Sequence, residues 1–118
     1  MQVAAHAGMA VARDHTELDA WKLADEVRTR VFRLCELPRM RSHWKVVDQL
    51  TDAAESGCSN IAEGFHRFNP KEFARFLKIA KGSLGEVIDR LRGAVKRGLA
   101  DPTEAEAISL LARRSIGA

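Results

Sequence analysis

Residues 49–76 constrain the fold most, because they contain the end of one amphipathic helix and the start of the next. At about 100° per residue, one side of the first helix is apolar or small and the opposite side is acidic. The apolar side consists of Val47, Leu50, Ala54, Gly57, Ile61, Phe65 and Phe68, and the acidic side consists of Asp48, Asp52, Glu55 and Glu63. This pattern predicts a helix that buries one side against neighbouring helices.

The second helix begins immediately, at the sequence Asn69-Pro70-Lys71-Glu72. Asn69 can cap the helix, Pro70 suits its first position, and Glu72 can reach back to the backbone N–H of the cap. Two long helices joined by so short a link are expected to lie antiparallel, as a helical hairpin.

The rest of the chain repeats this organisation. The patterns predict helices over residues 16–37, 42–68 and 70–97, with Ser42 as the cap of the second and Gly98 in a left-handed position after the third. A fourth, shorter helix starts at Asp101-Pro102-Thr103-Glu104 with the same capping logic. The expected fold is all-α, an antiparallel up-down-up-down four-helix bundle over residues 16–116, and residues 1–15 are expected to be a disordered lead-in.

Composition limits the class of protein. The 118 residues suffice for one hydrophobic core, the net charge of +3 allows a nucleic-acid or acidic partner, and no apolar run approaches the length of a membrane span. The two cysteines, Cys35 and Cys58, have no metal-binding spacing. We interpret them as buried thiols in a reducing compartment.

Catalytic and metal-binding patterns are weak. Glu63 and His66 have the Glu-x-x-His spacing of di-iron bundles, but the chain lacks the second such pair that these sites need. Neither His43 nor His66 has an arginine at the upstream spacing of an Arg-x4-6-His ribonuclease. The sequence therefore predicts a protein that is not an enzyme and has no metal or cofactor.

Gly82 and Gly85 interrupt the predicted third helix, although its apolar periodicity continues through them. Each glycine costs about 1 kcal/mol of helix propensity, so a packing reason is expected. Our interpretation is that the backbone of another helix approaches closely at this point, rather than that the segment is a phosphate-binding loop.

Basic residues follow the outer side of the same helix. Lys71, Arg75, Lys78 and, at the edge, Lys81 recur at steps of three and four residues, Lys96 extends the series, and Arg67 precedes it. This spacing favours a phosphate-binding surface. Two alternatives stay open: an ordinary solvated surface, or pairing of this basic stripe with the acidic stripe of a second subunit.

Four segments resemble a known family: Ala-Trp-Lys-Leu-Ala at 20–24, Asn-Ile-Ala-Glu-Gly-Phe at 60–65, Lys-Glu-Phe-x-Arg-Phe-Leu at 71–77 and Ile-Ala-x-Gly-Ser-Leu-x-Glu at 79–86. In this order they are similar to bacterial four-helix-bundle proteins encoded in intervening sequences of large-subunit ribosomal RNA genes. The likeness covers roughly residues 18–101. That family is related to the accessory protein of diversity-generating retroelements, which partners a reverse transcriptase.

The resemblance implies an antiparallel bundle, a ring of five subunits, and a cytoplasmic role in binding RNA or DNA, with a reverse transcriptase or another protein as a further partner. It supplies no catalytic residues. The matching motif positions, to which we assign packing or helix contact, are Asn60, Glu63, Gly64, Gly82, Ser83 and Glu86. The chain departs from the family pattern at Thr51-Asp52, where basic residues are usual, and at His66, where glycine is usual.

We therefore expect an oligomeric protein that binds structured RNA through Arg67, Lys71, Arg75, Lys78, Lys81 and Lys96. The alternative is a structural or protein-interaction scaffold that does not itself bind nucleic acid.

Overall fold

The computed structural model describes residues 12–118, and all regular structure in that part of the chain is helical. A short 3-10 helix at His15–Glu17 is followed by five α-helices. These are α1 (Asp19–Glu36), α2 (Pro38–Arg41), α3 (Trp44–Phe65), α4 (Pro70–Lys96) and α5 (Pro102–Gly117). Four of them, α1, α3, α4 and α5, are substantial, as the sequence predicted.

The four long helices contact one another in a closed ring. α3 packs against α1 and α4, and α5 packs against the same two helices from the other side. Aliphatic side chains fill the space between them, and Val27, Leu50, Leu84 and Ile108 are almost fully removed from solvent. This pattern of contacts is compatible with the expected antiparallel bundle.

Two glycines on α3 allow it to lie close to α4. A Cβ atom on Gly64 would lie 2.6 Å from the Cβ of Phe76, and one on Gly57 would lie 2.9 Å from a methyl carbon of Leu84. Both distances are shorter than van der Waals contact, so a Cβ at position 64 would displace α4, whereas a Cβ at position 57 would require the Leu84 side chain to move. The absence of a Cβ at these two positions thus allows α3 to pack closely against α4.

The helix starts that the sequence marked most clearly are present. The side chain of Asn69 accepts a hydrogen bond from the N–H of Glu72 at 3.1 Å, and that of Asp101 accepts one from the N–H of Glu104 at 3.0 Å. Gly98 has φ +72°, as predicted. The predicted contact of the Glu72 side chain with the backbone N–H of Asn69 was wrong. The Glu72 carboxylate lies 3.2 Å from the guanidinium of Arg75 instead.

Helix boundaries differ from the prediction at three places. Extended backbone at Leu18 separates the 3-10 helix from α1, so residues 16–37 are not one helix. The expected link at 38–42 contains α2, and His43 rather than Ser42 is the N-cap of α3. α3 ends at Phe65, and Phe68 has φ +52° and an exposed ring, so it lies outside the predicted buried side.

The predicted lead-in, residues 1–15, falls largely outside the described residues. Its last part is described and belongs to the folded structure, because the Asp14 side chain caps the 3-10 helix that begins at His15. The aromatic ring of Trp21 lies 5.2 Å from the His15 ring, which attaches this segment to α1. Within residues 12–118, no helix is long and apolar enough to cross a membrane.

Candidate nucleic-acid interface

The exposed side of α4 near its N-terminus is basic. Lys71, Arg75, Lys78 and Lys81 are all exposed, and Arg67 lies in the turn that precedes the helix. Steps of three and four residues place helical side chains beside one another, about 5–6 Å apart. We call these five residues the α4 basic surface.

The lysines of this surface have no ion-pair partner among residues 12–118, whereas its two arginines do. Arg67 lies 3.0 Å from the carboxylate of Glu63 and 3.9 Å from that of Glu72, which is also 3.2 Å from Arg75. The hydrogen bond from Arg75, with the charges of both arginines, lowers the pKa of Glu72 below its usual value. Glu72 therefore stays ionised and holds both guanidinium groups.

Both guanidinium groups also lie over an aromatic ring. The central carbon of Arg75 is 4.5 Å from the centre of the Phe76 ring, and that of Arg67 is 5.1 Å from it. Such contacts orient a guanidinium plane and leave its outer edge available to a phosphate. The arginines are thus held in position, whereas the lysines have no comparable contacts within the described part of the chain.

Gly82 and Gly85 continue the exposed side of α4 beyond Lys78. A Cβ atom on either glycine would meet nothing within 4 Å. The predicted close approach of another helix at these positions was therefore wrong within this chain, because the neighbouring helices contact the opposite side of α4. The two glycines instead leave an open strip of backbone next to the basic surface.

Lys96 does not join the α4 basic surface. It is exposed, but fifteen residues separate it from Lys81, which is about 22 Å along a helix. The exposed carboxylates of Glu86 and Asp89 lie between them in the sequence. Of the six residues predicted to bind nucleic acid, five therefore lie together in the α4 basic surface, and Lys96 lies apart from them.

The family-motif residues have several different roles. Asn60 donates hydrogen bonds to the backbone oxygen of Ser56 at 2.8 Å and to its hydroxyl at 3.0 Å, and that hydroxyl lies 2.7 Å from the hydroxyl of Ser83. These three residues connect α3 to α4. Glu63 and Glu86 are exposed; Glu63 forms an ion pair with Arg67 in the turn after α3, and Glu86 forms one with Arg90 on α4.

The acidic side of α3 is only partly available for intersubunit pairing. Glu55 lies 2.8 Å from Arg28 of α1, which also pairs with Asp25 at 2.7 Å. Asp48 and Asp52 are exposed and have no ion-pair partner within the described part of the chain.

Both cysteines are buried free thiols, as predicted. Burial raises the pKa of Cys35 to about 11 and that of Cys58 to about 12. At neutral pH the thiols are protonated and poorly nucleophilic, so neither is suited to covalent chemistry.

The sequence did not predict a cluster formed by Asp14, His15 and His66. Ring nitrogens of the two histidines lie 2.9 Å apart, and the same oxygen of Asp14 is 3.7 Å from His15 and 3.5 Å from His66. Hydrogen bonds from the hydroxyl and backbone N–H of Thr16 lower the pKa of Asp14. In the sequence, His66 was noted only for its spacing from Glu63. Asp14 and His15 lie about fifty residues away along the chain, so no local pattern connects them with His66.

These features define an all-helical protein with an exposed basic surface on its longest helix. A family model described as 23S rRNA-intervening sequence protein matches residues 16–116. The chain belongs to this family, which confirms the resemblance of its four motifs. No curated protein matches the chain.

Proposed function

We propose that this chain is a non-enzymatic protein that binds structured RNA through the α4 basic surface. The observation that supports the proposal is that Lys71, Lys78 and Lys81 are exposed on one helix without ion-pair partners among residues 12–118. A lysine already paired with a carboxylate gains little by meeting a phosphate. An unpaired lysine can displace a condensed counterion from RNA, and this release drives binding.

The arginines have a different role in the proposed complex. Glu72 and the Phe76 ring hold Arg67 and Arg75 in place, so less side-chain entropy is lost when these residues contact a phosphate. The open backbone at Gly82 lets the phosphate chain pass close to α4. Most of these contacts are to phosphates, so the proposed binding depends on RNA shape more than on base sequence.

We further propose that the protein is a cytoplasmic homo-oligomer of antiparallel up-down-up-down four-helix bundles, in which several basic surfaces bind one RNA. The family resemblance implies a homopentamer. A single surface of five cations would bind weakly at physiological salt, whereas linked copies raise the effective concentration of each neighbouring site. This arrangement would give useful affinity without any base-specific pocket.

The test is a titration of labelled structured RNA with two matched triple variants at several salt concentrations. Lys71→Gln, Lys78→Gln and Lys81→Gln together remove three exposed cations from α4. We expect binding to weaken and the dependence of log K on log salt to become shallower by about one for each phosphate that the protein no longer neutralises.

The control triple variant is Lys22→Gln, Arg33→Gln and Lys45→Gln, which removes the same charge from exposed positions on α1 and α3. We expect its RNA binding and salt dependence to stay close to those of the unchanged protein. Equal weakening by both triple variants would contradict a localised surface, since net charge alone would then explain the affinity.

A protein-interaction scaffold is the second candidate, and it is favoured by Asp48 and Asp52 on α3, which are exposed and have no ion-pair partner among residues 12–118. In that function, the α4 lysines of one subunit would pair with these carboxylates in another. Light scattering on a Lys71→Glu and Lys78→Glu variant separates the two functions. A lower assembly mass would favour the scaffold, whereas an unchanged mass with loss of RNA binding would favour the RNA-binding proposal.

A further inference from the structure

The cluster of Asp14, His15 and His66 has the composition of a transition-metal site. Imidazole nitrogen and carboxylate oxygen are common ligands of Zn²⁺, and three protein ligands with one water make an open tetrahedral site. The two histidines come from different parts of the chain, one from the 3-10 helix before α1 and one from the end of α3. The RNA-binding proposal does not use these three side chains, so their close arrangement is a separate feature of the structure.

The distances between the donor atoms fit a zinc ion. Nδ1 of His15 lies 2.9 Å from Nε2 of His66, and Oδ1 of Asp14 lies 3.7 Å and 3.5 Å from these two atoms. In a tetrahedral zinc site with bonds of about 2.0–2.2 Å, neighbouring donor atoms are separated by about 3.3 Å. The observed distance between the two nitrogens is shorter than this separation, and the two distances from the Asp14 oxygen are longer. The nearest point equidistant from the three atoms lies in their plane, about 2.0 Å from each, and a point about 0.7 Å out of that plane, as tetrahedral coordination needs, is about 2.1 Å from each.

A second group of contacts orients the three ligands. The Thr16 hydroxyl and backbone N–H donate to Oδ2 of Asp14 at 2.6 Å and 3.3 Å, which turns Oδ1 toward the histidines. The His15 ring packs edge-on against Trp21, and the His66 ring packs edge-on against Phe65. Neighbours of this kind fix the ligand geometry before a metal arrives, and their loss typically weakens metal binding.

We propose that Asp14, His15 and His66 bind one Zn²⁺, with water completing the coordination. The side chains keep about a quarter to a half of their surface exposed, so the ion can reach them from solvent. For both facing ring nitrogens to bind the ion, the histidine that donates in their contact changes tautomer, and its proton moves to the other nitrogen of the same ring. The ion fastens the segment before α1 to the turn between α3 and α4, beside Arg67 of the basic surface.

The test is calorimetric titration of the full-length, tag-free protein with ZnCl₂, together with visible absorption of the Co²⁺ form. We expect one Zn²⁺ per chain and the cobalt bands of a nitrogen and oxygen site. His15→Ala and His66→Ala should each weaken binding by about tenfold or more, while Thr16→Val should weaken it by about tenfold and leave the stoichiometry unchanged.

His43→Ala is the matched control, because His43 is partly exposed and lies outside the cluster. Its zinc affinity should match that of the unchanged protein, and far-UV circular dichroism should show the same helix content for all variants. The proposal is overturned if the unchanged protein binds no zinc, or if His66→Ala binds it equally well. A thiolate charge-transfer band in the cobalt spectrum would also overturn it, since it would place the ion on a cysteine.

Discussion

Glycines that look alike in the sequence have opposite surroundings in this protein. A Cβ atom added to Gly64 would lie 2.6 Å from the Cβ of Phe76 and 3.4 Å from the backbone of Phe73. A Cβ atom added to Gly82 would meet nothing within 4 Å. The interpretation of Gly82 as a packing residue failed because helix periodicity shows only that a residue lies within a helix. Which side of the helix meets a neighbour depends on the whole set of contacts.

This difference predicts opposite effects of the same substitution. Gly64→Ala should destabilise the protein by about 1–3 kcal/mol, because the new methyl group forces α3 and α4 apart. Gly82→Ala should stabilise it by about 0.5–1 kcal/mol, since alanine favours a helix and nothing obstructs the methyl group. Denaturant unfolding of both variants measures these changes. Destabilisation by Gly82→Ala would show that something contacts this position in the assembled protein.

The start of each long helix was predictable where a local rule applies, and not where the structure depends on distant residues. Asn69 and Asp101 cap their helices through hydrogen bonds that span three residues, so a short sequence window is sufficient. Ser42 satisfied the same local rule, but α3 starts at Trp44 with His43 as its N-cap, because α2 occupies the link. The cluster of Asp14, His15 and His66 needs a contact across 51 residues, which no local pattern contains.

Helix capping gives a second prediction, with an internal control. Asn69→Ala and Asp101→Ala should each destabilise the protein by about 1 kcal/mol, because an N–H in the first turn loses its acceptor. Ser42→Ala should change the free energy of unfolding by less than about 0.5 kcal/mol, since Ser42 is exposed and is not the N-cap of α3. Thermal unfolding of the three variants is the measurement. An equal loss at Ser42 would contradict the observed start of α3.

The core of the molecule contains both thiols, so their ionisation is linked to the stability of the whole fold. Cys35 and Cys58 are at most 5% exposed, and burial raises their pKa values from 9.0 to about 11 and about 12. Well below pH 9 the thiols are protonated in both the folded and unfolded states, and they contribute no pH dependence. Above pH 9 the unfolded chain releases these protons while the folded protein retains them, so ionisation favours unfolding.

We therefore expect the free energy of unfolding to fall between pH 9 and about pH 11, by about 1.4 kcal/mol per pH unit for each thiol. Urea unfolding at pH 8, 9, 10 and 10.5 measures this fall. Lysines also titrate in this range, so the matched control is Cys35→Ala with Cys58→Ala, which keeps every lysine. The double variant should be less stable at pH 8, because each substitution leaves a small cavity, but its stability should fall less steeply with pH. Parallel pH profiles for the two proteins would mean that the thiols ionise without unfolding and that the helices open locally around them.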